Sequence, residues 1–268
     1  MSGAAAAVAD DEAVAVMRRL SAALSSKAYD IASPAELIGV SLWGSRLWGT
    51  ATKTSDYDLV VIHRSAAHPD RRFGATICPG IDTKVESAQT FAEQVCSEND
   101  VAAWLTLLLP LEAWIYRAPL FDAFCTSVLK AAGGRPNLER MRSKLHETIL
   151  RDRARAIKQV GPDGDGGVEG ARKARKIAVH SLRLVAGAIL VWRACGVTGA
   201  AAPATAAAAP PAFAKRQPQS VVVALTMSDL CAVQVDVVDA FFDSLAERGI
   251  NCGDMEAVFD EITARLPQ

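Results

Sequence analysis

Two short apolar runs constrain this chain most: LIGVSL at residues 37–42 and YDLVVI at 57–62, both dense in branched side chains. Runs of that length, bounded by turn residues, read as buried strands. The first ends in Trp43-Gly44-Ser45 and the second follows Ser55-Asp56. Between them Arg46–Ser55 is small and polar, with Gly49 and three threonines, room for a turn and a short helical segment. A later run, IDTKVE at 81–86, alternates: Asp82, Lys84 and Glu86 share one face, Ile81, Thr83 and Val85 the other. That pattern predicts a third strand whose polar side faces solvent. His63–Gly80, punctuated by Pro69, Gly74, Pro79 and Gly80, reads as an irregular connection.

Around these strands the spacing turns helical. Residues 11–28 place Ala13, Val16, Met17, Leu20 and Leu24 on one stripe, an amphipathic first helix. Ser87–Val95 begins another helix, and Val101–Tyr116 continues as helix broken near Pro110, with Trp104, Leu107, Leu108, Leu111 and Trp114 as a packing stripe. Leu138–Val160 and Ala171–Cys195 are long helices joined by a flexible glycine-rich link at Gly161–Gly170. Ala232–Gly249 and Met255–Arg265 close the chain as helices, after an Ala and Pro tract at 199–214 expected to be disordered or extended. The fold class expected is α/β (α+β): residues 1–10 a disordered tail, 11–125 a sheet domain with flanking helices, 126–268 a helical domain.

Composition narrows the setting. Half the 268 residues are apolar and 22% are charged, as in an ordinary globular chain. The small apolar stretch Gly3–Ala9 lacks a basic leader and runs into Asp10, Asp11 and Glu12, unlike a signal peptide. The longest apolar stretches, Val101–Leu111 and Leu184–Trp192, fall short of the roughly 18 to 20 residues of a membrane span, so no membrane partner is expected. Six scattered cysteines without a close pair suit buried free thiols in a reducing, cytoplasmic setting. The net charge of -1 is uneven, because residues 135–193 hold 14 Lys and Arg against 6 Asp and Glu. Such a segment suits an anionic partner, a triphosphate or an RNA, or equally a set of solvated helix faces.

The chemistry concentrates at Asp56-Tyr57-Asp58. Two carboxylates at i and i+2 on a strand point the same way, close enough to hold divalent cations, and they repel one another without them. Backbone amides of a tight Gly-Ser turn bind phosphate oxygens, since glycine permits close approach and the hydroxyl adds a donor. Metal ions held by clustered carboxylates are what phosphoryl and nucleotidyl transfer require.

The stretch GSRLWGTATKTSDYDLVVI resembles the signature of the polymerase-beta-like nucleotidyltransferase superfamily, a Gly-Ser turn followed by Asp-x-Asp on the next strand. It is most similar to the predicted, minimal type, here as Gly44-Ser45-Arg46, Gly49 and Ser55–Asp58. The resemblance implies a polymerase-beta-like sheet, two Mg2+ ions, with Mn2+ as a substitute, and transfer of a nucleoside monophosphate, AMP from ATP, to an acceptor hydroxyl. It implies Asp56, Asp58 and Asp82 as catalytic metal ligands, with Glu86 as the rival for the third place. Gly44, Ser45, Arg46 and Ser55 would bind nucleotide, in a cleft expected between the two domains; Lys173 and Lys176, in a basic cluster with Arg172 and Arg175, are read as substrate contacts or equally as a solvated face. Arg46 is read equally as a partner for a surface carboxylate, and Trp43 and Trp48 as core or as a platform for a base. The acceptor (RNA, protein or small molecule) is not legible.

Two rival readings accompany this one. A protein of the same fold could bind nucleotide without turnover, as a regulatory or antitoxin-like partner. Arg175–His180, R-x4-H, and Arg140–His146, R-x5-H, also resemble the ribonuclease motif of HEPN helical domains, with His180 read mainly as a structural residue.

Overall fold

The structure, a computed structural model, describes residues 10–25, 31, 33–64, 73–161, 167–196, 224–251 and 253–266. The expected tail before Asp10, residues 162–166 of the link at 161–170 and the tract at 199–214 lie outside the described residues. In chain order the elements are α1 (Asp10–Leu24), β1 (Leu37–Trp43), α2 (Gly44–Leu47), β2 (Tyr57–His63), β3 (Phe73–Cys78), β4 (Ile81–Ser87), α3 (Ala88–Glu93) and α4 (Val101–Leu107). There follow β5 (Trp114–Arg117), α5 (Phe121–Ala131), α6 (Leu138–Val160), α7 (Gly167–Ala194), α8 (Met227–Ala232), α9 (Ala240–Glu247) and α10 (Met255–Ala264). The chain forms two compact units, each discontinuous: 1–98, 106–135 and 224–231 make the first, and 99–105, 136–223 and 232–268 the second.

The first unit is built on a mixed five-stranded sheet in the order β3-β4-β2-β1-β5, in which β2 and β4 run parallel and the other pairs antiparallel. Alternation along the strands sorts the two faces. Val40, Leu42, Tyr57, Leu59, Val61, Ile81 and Val85 join Val16, Leu20 and Leu24 of α1 in one apolar cluster. Each such fully buried aliphatic side chain stabilises by about 1.5–3 kcal/mol, so this face has a strongly specified register. On the opposite face the cross-strand rows read Asp82–Asp58–Trp43, then Lys84–Val60–Ser41, then Glu86–Ile62–Gly39. The last row is roofed by packed helices. Gly39 stands under Trp114 and Phe121, whose rings lie 4.4 Å apart, and α3 packs on β2 and β4.

Several expectations change here. His63–Gly80 contains β3, which pairs with β4; the glycine and prolines that suggested a loop flank or sit in an edge strand, where such residues are tolerated. Trp114–Arg117 is an edge strand and not helix, because Pro110 opens a 3-10 turn at Leu111–Ala113 and the chain then pairs with β1. Leu111 is accordingly 60% exposed and leaves the packing stripe, while Trp104 and Leu108 are buried. The polar side of β4 does not all face solvent: Glu86 is fully buried. The five described cysteines are free and only half-buried.

The second unit is helical. Asn137 caps α6 by accepting from the Arg140 amide, which sets its start at Leu138. Met141 meets Trp192 and Asp152 meets His180 and Ser181, so α6 and α7 pack antiparallel. Met141, Leu145, Ile149 and Ala156 face Ala174, Ala178, Leu182, Val185 and Val191 across a small-residue seam that permits close approach. The link expected to end at Gly170 ends earlier, since α7 already begins at Gly167. On length and composition α7 reaches what a membrane span requires, contrary to the reading from apolar runs; 61% of its most apolar window is buried inside the protein.

Candidate functional site

Strand register assembles the carboxylates. Asp58 and Asp82 are cross-strand partners on parallel β2 and β4, so they leave the sheet on the same face in adjacent positions. Both are half-buried. Asp56, exposed and just ahead of β2, lies with its Oδ1 beside the Gly80 turn that leads into β4, and the Tyr57 amide bonds the Gly80 carbonyl at 2.9 Å.

Gly44 is tied to this group by contact. Its φ is +57°, a left-handed conformation that glycine adopts without strain. A Cβ built there would lie 1.8 Å from Asp58 Oδ2 and 2.5 Å from its Cγ, so the carboxylate fills the space a side chain would take. The Gly-Ser turn and the second Asp of Asp-x-Asp therefore form one structural feature. Ser45 follows on α2, and its carbonyl accepts from the Thr50 amide at 2.8 Å, folding the loop back on itself. Gly49 closes that loop at φ +71°, against Cys231 of α8.

Arg46 and Ser55 build the loop. The Arg46 guanidinium stacks 3.7 Å from the Tyr57 ring centroid, bonds the Ser55 carbonyl at 3.0 Å and stands 3.8 Å from Glu12 of α1, to which the Tyr57 hydroxyl also donates. Of the two readings of Arg46 this arrangement is the carboxylate partnership. Ser55 Oγ accepts from the Thr52 amide at 2.9 Å and shapes the turn before Asp56. Trp48 is buried and belongs to the core, whereas Trp43 is half-buried in the row of Asp58.

Glu86, the rival third carboxylate, sits two rows behind Asp82. Its Oε1 accepts from Gln94 Nε2 at 2.5 Å and pairs with Lys84 Nζ at 2.9 Å, while its Oε2 is buried with no partner. Among the described residues no three His, Cys, Asp or Glu side chains close around a single point as a metal cage would. The donor set nevertheless suits Mg2+: oxygen ligands only, gathered on one face, around a glycine that leaves the carboxylate room.

In the second unit Lys173 and Lys176 stand on α7, with Lys173 Nζ 4.0 Å from Glu169. Sequence reasoning missed the best-organised polar group there. Asp152 is buried, and its Oδ2 meets His180 Nδ1 at 3.0 Å and accepts from Ser181 Oγ at 3.0 Å, while Arg155 stands 3.4 Å from Oδ1. Burial pushes the Asp152 carboxyl up, but the bonds and charges of His180, Ser181 and Arg155 outweigh it and hold the group below the usual carboxylate range. His180 is bonded to the buried carboxylate, in keeping with a structural role, and its side chain is 53% exposed. Arg175 of the R-x4-H match stacks on Phe242 at 4.3 Å, and His146 is exposed on α6.

No protein-family model matches the chain, and no curated protein matches it.

Proposed function

We propose that this chain is a metal-dependent nucleotidyltransferase of polymerase-beta-like fold, moving a nucleoside monophosphate, AMP, from a triphosphate to an acceptor hydroxyl. The observation that carries the reading is Asp58 seated in the space above Gly44, with Asp82 as its cross-strand partner. Asp56 and Asp58 would hold two Mg2+ ions and Asp82 one of them; when bound, the ions neutralise triphosphate charge and activate the acceptor oxygen. In the reaction the acceptor oxygen bonds to the α-phosphorus, the bond to the β-phosphate bridging oxygen breaks, and pyrophosphate leaves. The protein's part is to fix the carboxylates on a rigid sheet, to offer the amides and hydroxyl of Gly44-Ser45 to phosphate oxygens, and to keep the loop closed through Arg46, Tyr57 and Ser55. The test is pyrophosphate release from each nucleoside triphosphate across a panel of RNA, protein and small-molecule acceptors. Release that disappears in Asp56→Ala and Asp58→Ala supports the reading; metal-dependent nucleotide binding without release on any acceptor would replace it with a silent, regulatory protein of this fold.

A second activity has its own observation. With Nδ1 held by buried Asp152, the half-exposed His180 ring on a basic helix pair would serve as a general acid–base for phosphodiester cleavage. It predicts metal-independent RNA cleavage that His180→Ala abolishes; cleavage unchanged in that variant removes it.

A further inference from the structure

Lys84 is a cation on the carboxylate face of β4. It follows Asp82 by two residues on β4 and faces the same way, in the row directly behind Asp82–Asp58. Two residues of strand span about 6.6 Å, a distance within the sweep of a lysine's four-carbon stem. A built platform holds its ammonium: Nζ donates to Gln94 Oε1 at 3.1 Å and pairs with Glu86 Oε1 at 2.9 Å, and Gln94 Nε2 closes the ring by donating to the same Glu86 oxygen. Gln94 begins a π-helical turn at Gln94–Glu98, an irregularity that recurs at functional sites. An ammonium has three N–H donors; two are engaged here, and a side chain 40% exposed leaves the third open to a ligand.

Two described arginines near this end of the sheet have partners. Arg46 is stacked on Tyr57 and bonded to Ser55, and Arg19 of α1 donates to the Pro79 carbonyl. A metal-bound triphosphate on three carboxylates still carries excess negative charge, and a fixed donor one row back is where a phosphate oxygen would find it. The buried carboxylate in the row behind Lys84 keeps the ammonium from drifting into solvent.

We infer that Lys84, held by Glu86 and Gln94, is a binding residue for the β- or γ-phosphate of the triphosphate, giving the site its preference for triphosphate over monophosphate. This inference rests on the nucleotidyltransferase reading. It is tested by equilibrium binding of a non-hydrolysable ATP analogue and of AMP to the full chain in Mg2+, with wild type, Lys84→Arg, Lys84→Met and the double variant Lys84→Met with Glu86→Gln. The double variant leaves no buried carboxylate without its cation, so it keeps the test decisive should the single variant be unstable. The expected result is triphosphate affinity lowered about 10- to 30-fold in both methionine variants, AMP affinity unchanged, and partial rescue by arginine. Unchanged triphosphate affinity in the double variant, or equal loss of AMP and triphosphate, overturns the inference while leaving the function standing. Wild type that binds neither ligand in Mg2+ overturns both.

Discussion

The two units place their aspartates in opposite ways. In the sheet unit, strand register gathers like charges: Asp58 and Asp82 are cross-strand neighbours and Asp56 stands beside the turn into β4. In the helical unit a single buried carboxylate, Asp152, is met by His180, Ser181 and Arg155 from two adjacent helices. Like charges brought together repel one another, whereas the bonds made to Asp152 contribute to the fold. The difference separates carboxylates brought together by strand register from one held by side chains of its own unit.

Changing Gly44 breaks the first arrangement most severely. Gly44→Ala places a Cβ inside the Asp58 carboxylate and forces a left-handed alanine, so it is expected to cost on the order of 1–3 kcal/mol and to remove Mg-dependent nucleotide binding. Urea unfolding and nucleotide titration read the two effects; a variant of wild-type stability and affinity would show that glycine is not required there.

Next in size is Asp152→Ala, which strands the buried Ser181 hydroxyl and is expected to cost about 1–3 kcal/mol in the helical unit. The pH dependence follows from the depressed carboxyl. Because Asp152 is held below its unfolded value, its contribution is complete above about pH 4 and is lost as pH falls through the folded value. Wild type should therefore lose stability below about pH 4 more steeply than Asp152→Asn, measured by denaturant midpoints between pH 2 and 6. Parallel acid limbs would contradict the assignment.

Arg46→Met sharpens the contrast at smaller scale. Losing the stack on Tyr57 and the bond to Ser55 should cost about 1 kcal/mol and loosen the loop before Asp56, lowering nucleotide affinity less than any change to Asp58. An Arg46 variant as weak as Asp58→Asn would place the guanidinium on the ligand instead. The smallest effect concerns thiols. Burial raises Cys125 to about 12, with Asp122 adding to the rise, and Cys195 to about 11, so both should resist iodoacetamide at pH 8 until the chain is unfolded. Prompt labelling of either in the native protein would contradict that.

What the sequence revealed depended on how local the cause was. The span of α6 was legible to the residue because Asn137 supplies a cap and the apolar stripe repeats along one helix. β1, β2 and β4 were legible because branched and alternating runs carry their own period. Edge strands were not: β3 lies in a stretch flanked by prolines, and the four residues of β5 exist only because β1 offers them a partner. Alternation told which face of β4 Glu86 occupies but not that helices roof it. Arg46 and Asp152 find their partners at Glu12 and at His180–Ser181, contacts made by folding that no local pattern announces. The Gly44–Asp58 contact was legible only as spacing, and its close fit emerged with the fold.

The central claim is that the Gly44, Asp56, Asp58 and Asp82 group is built to hold divalent metal against a triphosphate. Titration of Mn2+ into the full chain with a non-hydrolysable ATP analogue, followed by electron paramagnetic resonance, tests it most directly. The account predicts tight Mn2+ binding that needs the analogue and is lost in Asp58→Asn. Mn2+ spectra identical for wild type and Asp58→Asn, each resembling free ion plus analogue, would contradict it.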